Sequence, residues 1–407
     1  MAVHWRMDPG CVFLNHGSFG ATPAAVTAAQ RDLQDLVERE PIRYFVEIAP
    51  RLLDAARERI ARMLCAEDAA GEGIVYVPNA TAGVNTVVRS LKFEPGDELL
   101  TNTHEYNACN NVLRWAERRW GAKVVTVDAP FPVRSEQEIV DAVLAGVTSR
   151  TRLVMLSHVT SPTGMIFPVG PIVEELNRCG IESLIDGAHA PGMIPIDLAE
   201  LNATYYTGNF HKWLCAPKQS AFLHVREERR GDIRPLIISH GANSPRTDRS
   251  RFRLEFDYIG TFDLSGYMCV PECERFLGGL VEGGISGLMK RNHALALKGR
   301  DMLCRALGVE PPVPDRMLGA MASVPLPDPP GGAIRPSELG YHDALVDGMI
   351  QRHGVQIPVF PFPPPAPGQP ACKRMMRIAM QAYNSIEQVE YLAECLLEEL
   401  AREAKSR

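Results

Sequence analysis

The stretch Asn209–Leu214, NFHKWL, follows the apolar run ATYYTG and sets a lysine between a histidine and a tryptophan. Lysine is among the residues least often buried, so a lysine that enters what reads as a core needs a reason. The run ahead of it is one of seven: GIVYVP, DELLTN, AKVVTV, RLVMLS, ESLID, ATYYTG and SAFLHV. Each is read as followed by a polar turn and then a helical pattern. Strands that alternate with helices predict a mostly parallel sheet covered on both faces. Ligands of such sheets bind beyond the carboxyl ends of the strands, so the turns after these runs are where chemistry is sought.

Three of those turns carry suitable residues. After GIVYVP comes NATAGVNT, Asn79–Thr86, where small residues and a threonine open a helix. Backbone N–H groups at a helix start bind phosphate well; the plain alternative is an ordinary N-cap. After ESLID comes GAHAPG, with Asp186 at the strand end and His189 three residues on. A carboxylate there is costly unless paired; the plain alternative is a capping Asp. After ATYYTG comes Lys212. A surface lysine is the plain reading, and a desolvated lysine with a lowered pKa, ready for Schiff-base chemistry, is the sharper one. Together the three make one chemical sense. A pyridoxal phosphate (PLP) site needs a lysine for the aldehyde, a carboxylate to keep the pyridine nitrogen protonated and a phosphate cradle.

The rest of the chain sets bounds. Its 407 residues suit two or three domains, or a large domain with a smaller one. The formal net charge of -6, without any clustered Lys/Arg tract, argues against nucleic acid or an anionic membrane as partner. MAVHWRMDPG lacks the apolar core of a signal peptide, and no window approaches the roughly 18 apolar residues of a membrane helix. Ten scattered cysteines fit reduced thiols and a cytoplasmic location. Cys269 and Cys273 lack a second pair at zinc spacing, so no metal is expected. PAAVTAAQRDLQDLVERE and RLLDAARERIARMLCAED read as helices; in the second, Leu52, Ala56, Ile60 and Met63 share a face. Two proline-rich stretches, 311–336 and 357–370, read as stiff surface or active-site loops. The chain ends in an amphipathic helix, with Ser385 and Gln388 as a capping box and Val389, Leu392, Leu396 and Leu400 on one face.

FLNHGSFGATP, PNATAGVNTV, THEYNA, SHVTSPTG, DGAHAPG, NFHKWLCAPK, YIGTFD and MRIAMQAYN, in this order, resemble the class V aminotransferase family of fold-type I PLP enzymes, and within it the isopenicillin N epimerase-like branch. The resemblance covers nearly the whole chain. It implies an α/β fold: a mostly parallel seven-stranded sheet in a large domain (21–270), a smaller α+β C-terminal domain (271–407), and an N-terminal segment (1–20) joining the small domain to the active site. It implies that Lys212 bonds the cofactor, Asp186 pairs with the pyridine nitrogen and His189 contacts the phenolic oxygen. Ala80, Thr81 and His211 should reach the phosphate, and Asn209 and Thr160 also line the cofactor site. Thr261 would reach the phosphate of a neighbouring subunit, implying a homodimer with shared sites. Arg377 should grip the substrate carboxylate, with Asn15 near it; Arg43 and Tyr44 should help shape the substrate pocket.

Some positions depart from the family pattern. Tyr106 stands where related cysteine desulfurases have a ring-stacking histidine; it can stack but is a poorer acid near neutral pH. Asn209 stands for a phosphate-touching serine, Thr160 and Ser161 for an asparagine, and Gln219 for a glycine. A desulfurase needs a mobile loop cysteine, and 311–336 contains none, with only Cys304 and Cys372 flanking it. The resemblance therefore implies an epimerase or racemase, with Lys212 on one face of the α-carbon and Tyr106, His16 or His240 supplying the other. The alternatives are a C–S lyase, an aminotransferase or decarboxylating enzyme of a natural-product pathway, and an inactive PLP-fold scaffold. The shared motifs are cofactor motifs and do not separate these outcomes.

Overall fold

The computed structural model describes residues 1–340, 343–365 and 373–405. All seven apolar runs form strands of one sheet: β1 (Ile74–Val77), β2 (Glu98–Asn102), β3 (Lys123–Val127), β4 (Thr151–Ser157), β5 (Glu182–Asp186), β6 (Tyr205–Asn209) and β7 (Ala221–Val225). Their order is β1-β7-β6-β5-β4-β2-β3. All neighbours are parallel except those of β7, which runs antiparallel to both β1 and β6. Helices cover both faces, which is why β1, β2, β6 and β7 are buried throughout and read as continuous apolar runs. β3, one of the two edge strands, exposes Lys123 and Thr126, charge and polarity that discourage pairing with another chain.

The first two predicted helices are present as α1 (Ala24–Arg39) and α2 (Ala49–Met63). Ala56 and Ile60 of α2 are buried, with Leu52 and Met63 packed against the core. Helix α3 (Ala80–Ser90) starts directly after β1, and Asn79 caps it by accepting from Ala82 N at 2.8 Å. Gly83 lets α3 press onto the sheet, since a Cβ there would lie 2.2 Å from Thr207 Oγ1 on β6. Helix α4 (Asn107–Trp120) follows β2 with Tyr106 at its cap.

The proline-rich stretches are loops only in part. Met321–Pro325 is strand β8 and Val359–Pro361 is β9, and with β10 (Arg374–Ala379) they form an antiparallel sheet in the order β9-β10-β8. Pro325 and Pro361 end the two outer strands, where a missing N–H leaves no gap in the ladder. Part of 357–370, and Cys372, lie outside the described residues. The N-terminal segment is stitched to this region: Val12–Phe13 pairs with Val355–Gln356, and Asn15 bridges Ala379. The last helix, α5 (Ile386–Lys405), buries Val389, Leu392 and Leu396. At its start the Gln388 side chain accepts from Ser385 N at 3.4 Å and Asn384 Nδ2 at 2.9 Å. Among the described residues no helix is long and apolar enough to cross a membrane.

Candidate active site

The carboxyl ends of β1, β4, β5 and β6 converge on a cavity of about 360 Å³. Ser157, Asp186 and Asn209 are the last residues of their strands, and Ala80 is the first of α3; all four line it, with Thr81, His189, His211 and Lys212. A larger surface cleft of about 1140 Å³, lined by Cys65, Glu174 and Asp197, contains none of these residues.

Lys212 sits in the turn after β6 and faces the cavity. Its amine lies far enough from bulk water that burial lowers its pKa to about 8, against the opposing pull of Asp186. Nζ is 3.1 Å from His189 Nε2. The far nitrogen of that ring, Nδ1, accepts from Trp213 Nε1–H at 3.4 Å. A neutral imidazole that accepts at Nδ1 carries its proton on Nε2, so the ring presents a donor to Lys212 and favours the neutral amine. Burial also holds the His189 pKa well below its ordinary value, with Lys212 adding to the effect. This lysine is poised as a nucleophile and base, which answers why the chain turns it inward.

The turn is fixed from outside. Gly20 has φ +67°, and a Cβ there would lie 1.9 Å from His211 O and 3.1 Å from Lys212 Cα. The N-terminal segment thus lies flat on the lysine turn, and only glycine fits. His16, fully buried, reaches Lys212 O through Nε2 at 2.9 Å and the Tyr383 hydroxyl through Nδ1 at 2.8 Å.

Asp186 accepts from Ala188 N at 2.9 Å and from the Cys109 thiol at 3.2 Å. Burial raises its pKa, and it has no ion-pair partner among the described residues. A buried carboxylate so placed wants a cation, and a protonated pyridine nitrogen is one. At the start of α3, Ala80 N donates to Asn209 Oδ1 at 2.8 Å; Asn209 lines the cavity and braces the helix start with its side-chain oxygen. His211 donates from Nδ1 to Ser220 O at 3.1 Å, which leaves Nε2 for a ligand. Its pKa is lowered to about 4, first by burial and then by Lys212, and a phosphate dianion would act against that depression. An amine, an unpaired carboxylate and a helix start at one cavity fit PLP.

Arg377, on β10, is 1% exposed. Nη1 donates to Ser161 O and to Ser161 Oγ at 3.3 Å; Nη2 donates to Asn15 Oδ1 at 3.1 Å and Ser18 Oγ at 3.2 Å. The guanidinium lies 5.3 Å from the centre of the Phe360 ring. It pairs with no carboxylate among the described residues, and its buried Nε has no hydrogen-bond partner. Burial lowers its pKa to about 10, so it stays cationic near neutral pH.

Other expected residues lie elsewhere. Thr160 is fully buried and its hydroxyl serves the local turn, 2.6 Å from Thr163 Oγ1 and 3.2 Å from Met165 O; its neighbour Ser161 lines the cavity instead. Arg43 is exposed and bonded to Glu40 and Glu47. Thr261 is exposed, 3.1 Å from the Tyr258 hydroxyl, and does not line this cavity. His16 is occupied as described, and His240 lines a different cleft with Val46 and Tyr258. Tyr106 lines the cavity and is 45% exposed. Sequence reasoning passed over Glu105, Cys109, Ser18 and Phe360. Glu105 had a signal, an acid just beyond an apolar strand; the others became visible only through contacts.

Residues 22–253 match the family model Aminotransferase class-V. The chain is 33% identical to the isopenicillin N epimerase of Amycolatopsis lactamdurans, covering 96% of each. It is 31% identical to a probable L-cysteine desulfhydrase, chloroplastic, of Arabidopsis thaliana, covering 96% of this chain and 83% of that one. Its fold matches that of a C-DES mutant with glycine covalently linked to the PLP cofactor, at a TM-score of 0.73 and 18% identity, covering 95% and 96% of the two chains. With this sheet and these strand-end groups, the chain belongs to the class V aminotransferase family and is a PLP-dependent enzyme of fold type I.

Proposed function

We propose that this enzyme epimerises an α-amino acid or an amino-acid-containing metabolite at its α-carbon. The observation that carries the amino-acid reading is the buried Arg377 guanidinium, cationic and without a carboxylate partner among the described residues; it does not itself line the cavity that holds Lys212 but is bonded to Ser18 and Ser161, which do. A planar carboxylate suits its fork. In this reading Arg377 and Asn15 seat the substrate carboxylate. Lys212, released by exchange with the substrate amine and brought nearer neutrality by desolvation, takes the α-proton in its unprotonated form. Bound PLP supplies the electron sink for the pair left behind. Asp186 holds charge opposite the pyridine nitrogen, and the start of α3 with Thr81 and His211 receives the phosphate.

Of the three groups considered for the second face, Tyr106 is the one that lines the cavity. Its pKa is raised, mainly by burial, so it stays protonated at neutral pH and serves as a proton donor. β-Elimination from a cysteine-type substrate is the second reading. The desulfhydrase relative favours it, and it requires only Lys212 as base. The reading further takes a homodimer in which Thr261 reaches the partner's phosphate site, supported by large apolar side chains left in solvent, Ile42, Val46 and Ile238. A cytoplasmic place in secondary metabolism accompanies it, supported by the free state of all nine cysteines among the described residues and the epimerase relative.

The test is incubation of the PLP-loaded enzyme in heavy water with amino acids, peptides with free amino-acid ends, and cysteine S-conjugates. Deuterium at an inverted α-carbon supports epimerisation, and Tyr106→Phe should then keep deuterium exchange but lose inversion. Release of pyruvate and the sulfur fragment without inversion would replace epimerisation by elimination.

A further inference from the structure

Glu105 is 7% exposed, in the loop between β2 and α4. It accepts from Ser157 N at 2.8 Å, from Tyr106 N at 2.9 Å and from the Ser157 hydroxyl. One of its oxygens, the Cys109 sulfur and an Asp186 oxygen all lie within 4.8 Å of one another. Two carboxylates this close, shielded from water, favour retaining a proton between them.

We propose that Glu105 is a positioning residue that shares one proton with Asp186 and ties the Tyr106 backbone to the end of β4. The inference rests on the reading in which Asp186 faces the cofactor. The pair binds one proton, on the Glu105 or the Asp186 carboxyl group, and no other bond changes. The titratable groups around the pair are compatible: Tyr106 and Tyr206, both near the Asp186 charge, are raised in pKa first by burial and stay protonated. Cys109, on α4, is pushed well above its ordinary pKa by burial and then by Asp186, stays a thiol and donates to Asp186. Lys212, after β6, acts on Asp186 and favours its ionised form. On β4 the contact is Ser157, which donates twice and does not titrate. His104, next in the chain, bonds Thr163 and Ala129 O and is held neutral by burial. Burial first, and then the Asp186 charge, raises Glu105 from 4.5 to about 7.

The arrangement gives the ring-binding carboxylate a tuner. With the pair singly protonated, Asp186 is a weaker base towards a pyridine nitrogen; with both ionised, it is a stronger one. Binding a pyridinium to Asp186 favours full ionisation, so loading the cofactor near neutral pH should release a proton.

Infrared difference spectra of the full chain, with and without PLP, between about pH 6 and pH 8 test this, because ordinary carboxyls are already ionised there. A protonated-carboxyl band that titrates near 7 in the cofactor-free chain and shifts to lower pH on loading is expected, and Glu105→Gln should abolish it. Calorimetry in buffers of different ionisation heat should show a larger proton release on PLP binding in the wild type than in Glu105→Gln, the contribution of Lys212 being common to both. A band that persists in Glu105→Gln, or none in the wild type, overturns the proposal. Should Glu105→Gln fail to fold, Cys109→Ala removes the thiol donor from Asp186 and should move the titration upward; an unmoved midpoint also overturns it. Because the cofactor-free titration needs no catalysis, its failure is distinct from failure of the epimerase reading.

Discussion

Replacing Arg377 by alanine tests the substrate reading most directly. The guanidinium is held in place by Asn15, Ser18, Ser161 and the Phe360 ring, yet no acid among the described residues neutralises it. The fold has therefore borne the cost of burying a cation, and a ligand carboxylate recovers it. Truncating one side of a buried, hydrogen-bonded charge pair costs about 2–5 kcal/mol, or roughly 30-fold to several-thousand-fold in affinity. The assay is the dissociation constant of an unreactive amino-acid analogue and of its methyl ester, read from the cofactor spectrum. Wild-type enzyme should favour the free acid by that factor, and Arg377→Ala should bind acid and ester nearly alike. PLP affinity should change much less. With a pKa of about 10, Arg377 stays charged, so the preference should hold from about pH 6 to 9. Arg377→Lys keeps the charge but loses the fork, and should fall between the two. A variant that still prefers the acid by the wild-type factor would place the carboxylate elsewhere and refute the reasoning.

Lys212→Ala should abolish the borohydride-trappable link to PLP; a link retained in mass spectra would reassign the lysine. The lowered Lys212 pKa also makes a stability prediction. Stability from this group is present above its unfolded value of 10.5 and lost as pH falls through about 8. Cofactor-free Lys212→Met should thus be more stable than wild type near pH 7, by about 1–3 kcal/mol after allowance for the side chain's exposure to the cavity, and the gain should vanish towards high pH in denaturant titrations. Gly20→Ala forces a methyl group onto His211 O and a side chain into positive φ; a loss above about 2 kcal/mol, with weakened PLP retention, is expected, and a neutral result would show that the N-terminal segment does not brace the turn.

The sheet was highly legible because its strands are buried on both faces and their apolar runs need no partner to be recognised. Lys212, Asp186 and Ala80 were legible for a related reason, since parallel sheets bring ligands to their carboxyl ends and each residue ends a strand or lies three residues beyond one. The prolines of 311–336 and 357–370 misled, because a proline on an outer strand disturbs no ladder and its neighbours still form β8 and β9. Thr160 misled because a threonine one residue from the cavity can turn its hydroxyl into its own turn. The side to which a hydroxyl rotates is set by neighbours far away in sequence.

Local sequence, then, determined the order of strands and helices and the chemical types waiting at the strand ends, because periodicity and turn residues act over a few positions. The tertiary structure alone decided which groups share an environment. It left Arg377 buried without an acid by bringing β10 against Asn15 and Ser161, set Glu105 beside Asp186, and removed His16 and His240 from the cavity. Those facts depend on desolvation and on distances between residues tens to hundreds of positions apart, and no short stretch of chain encodes either.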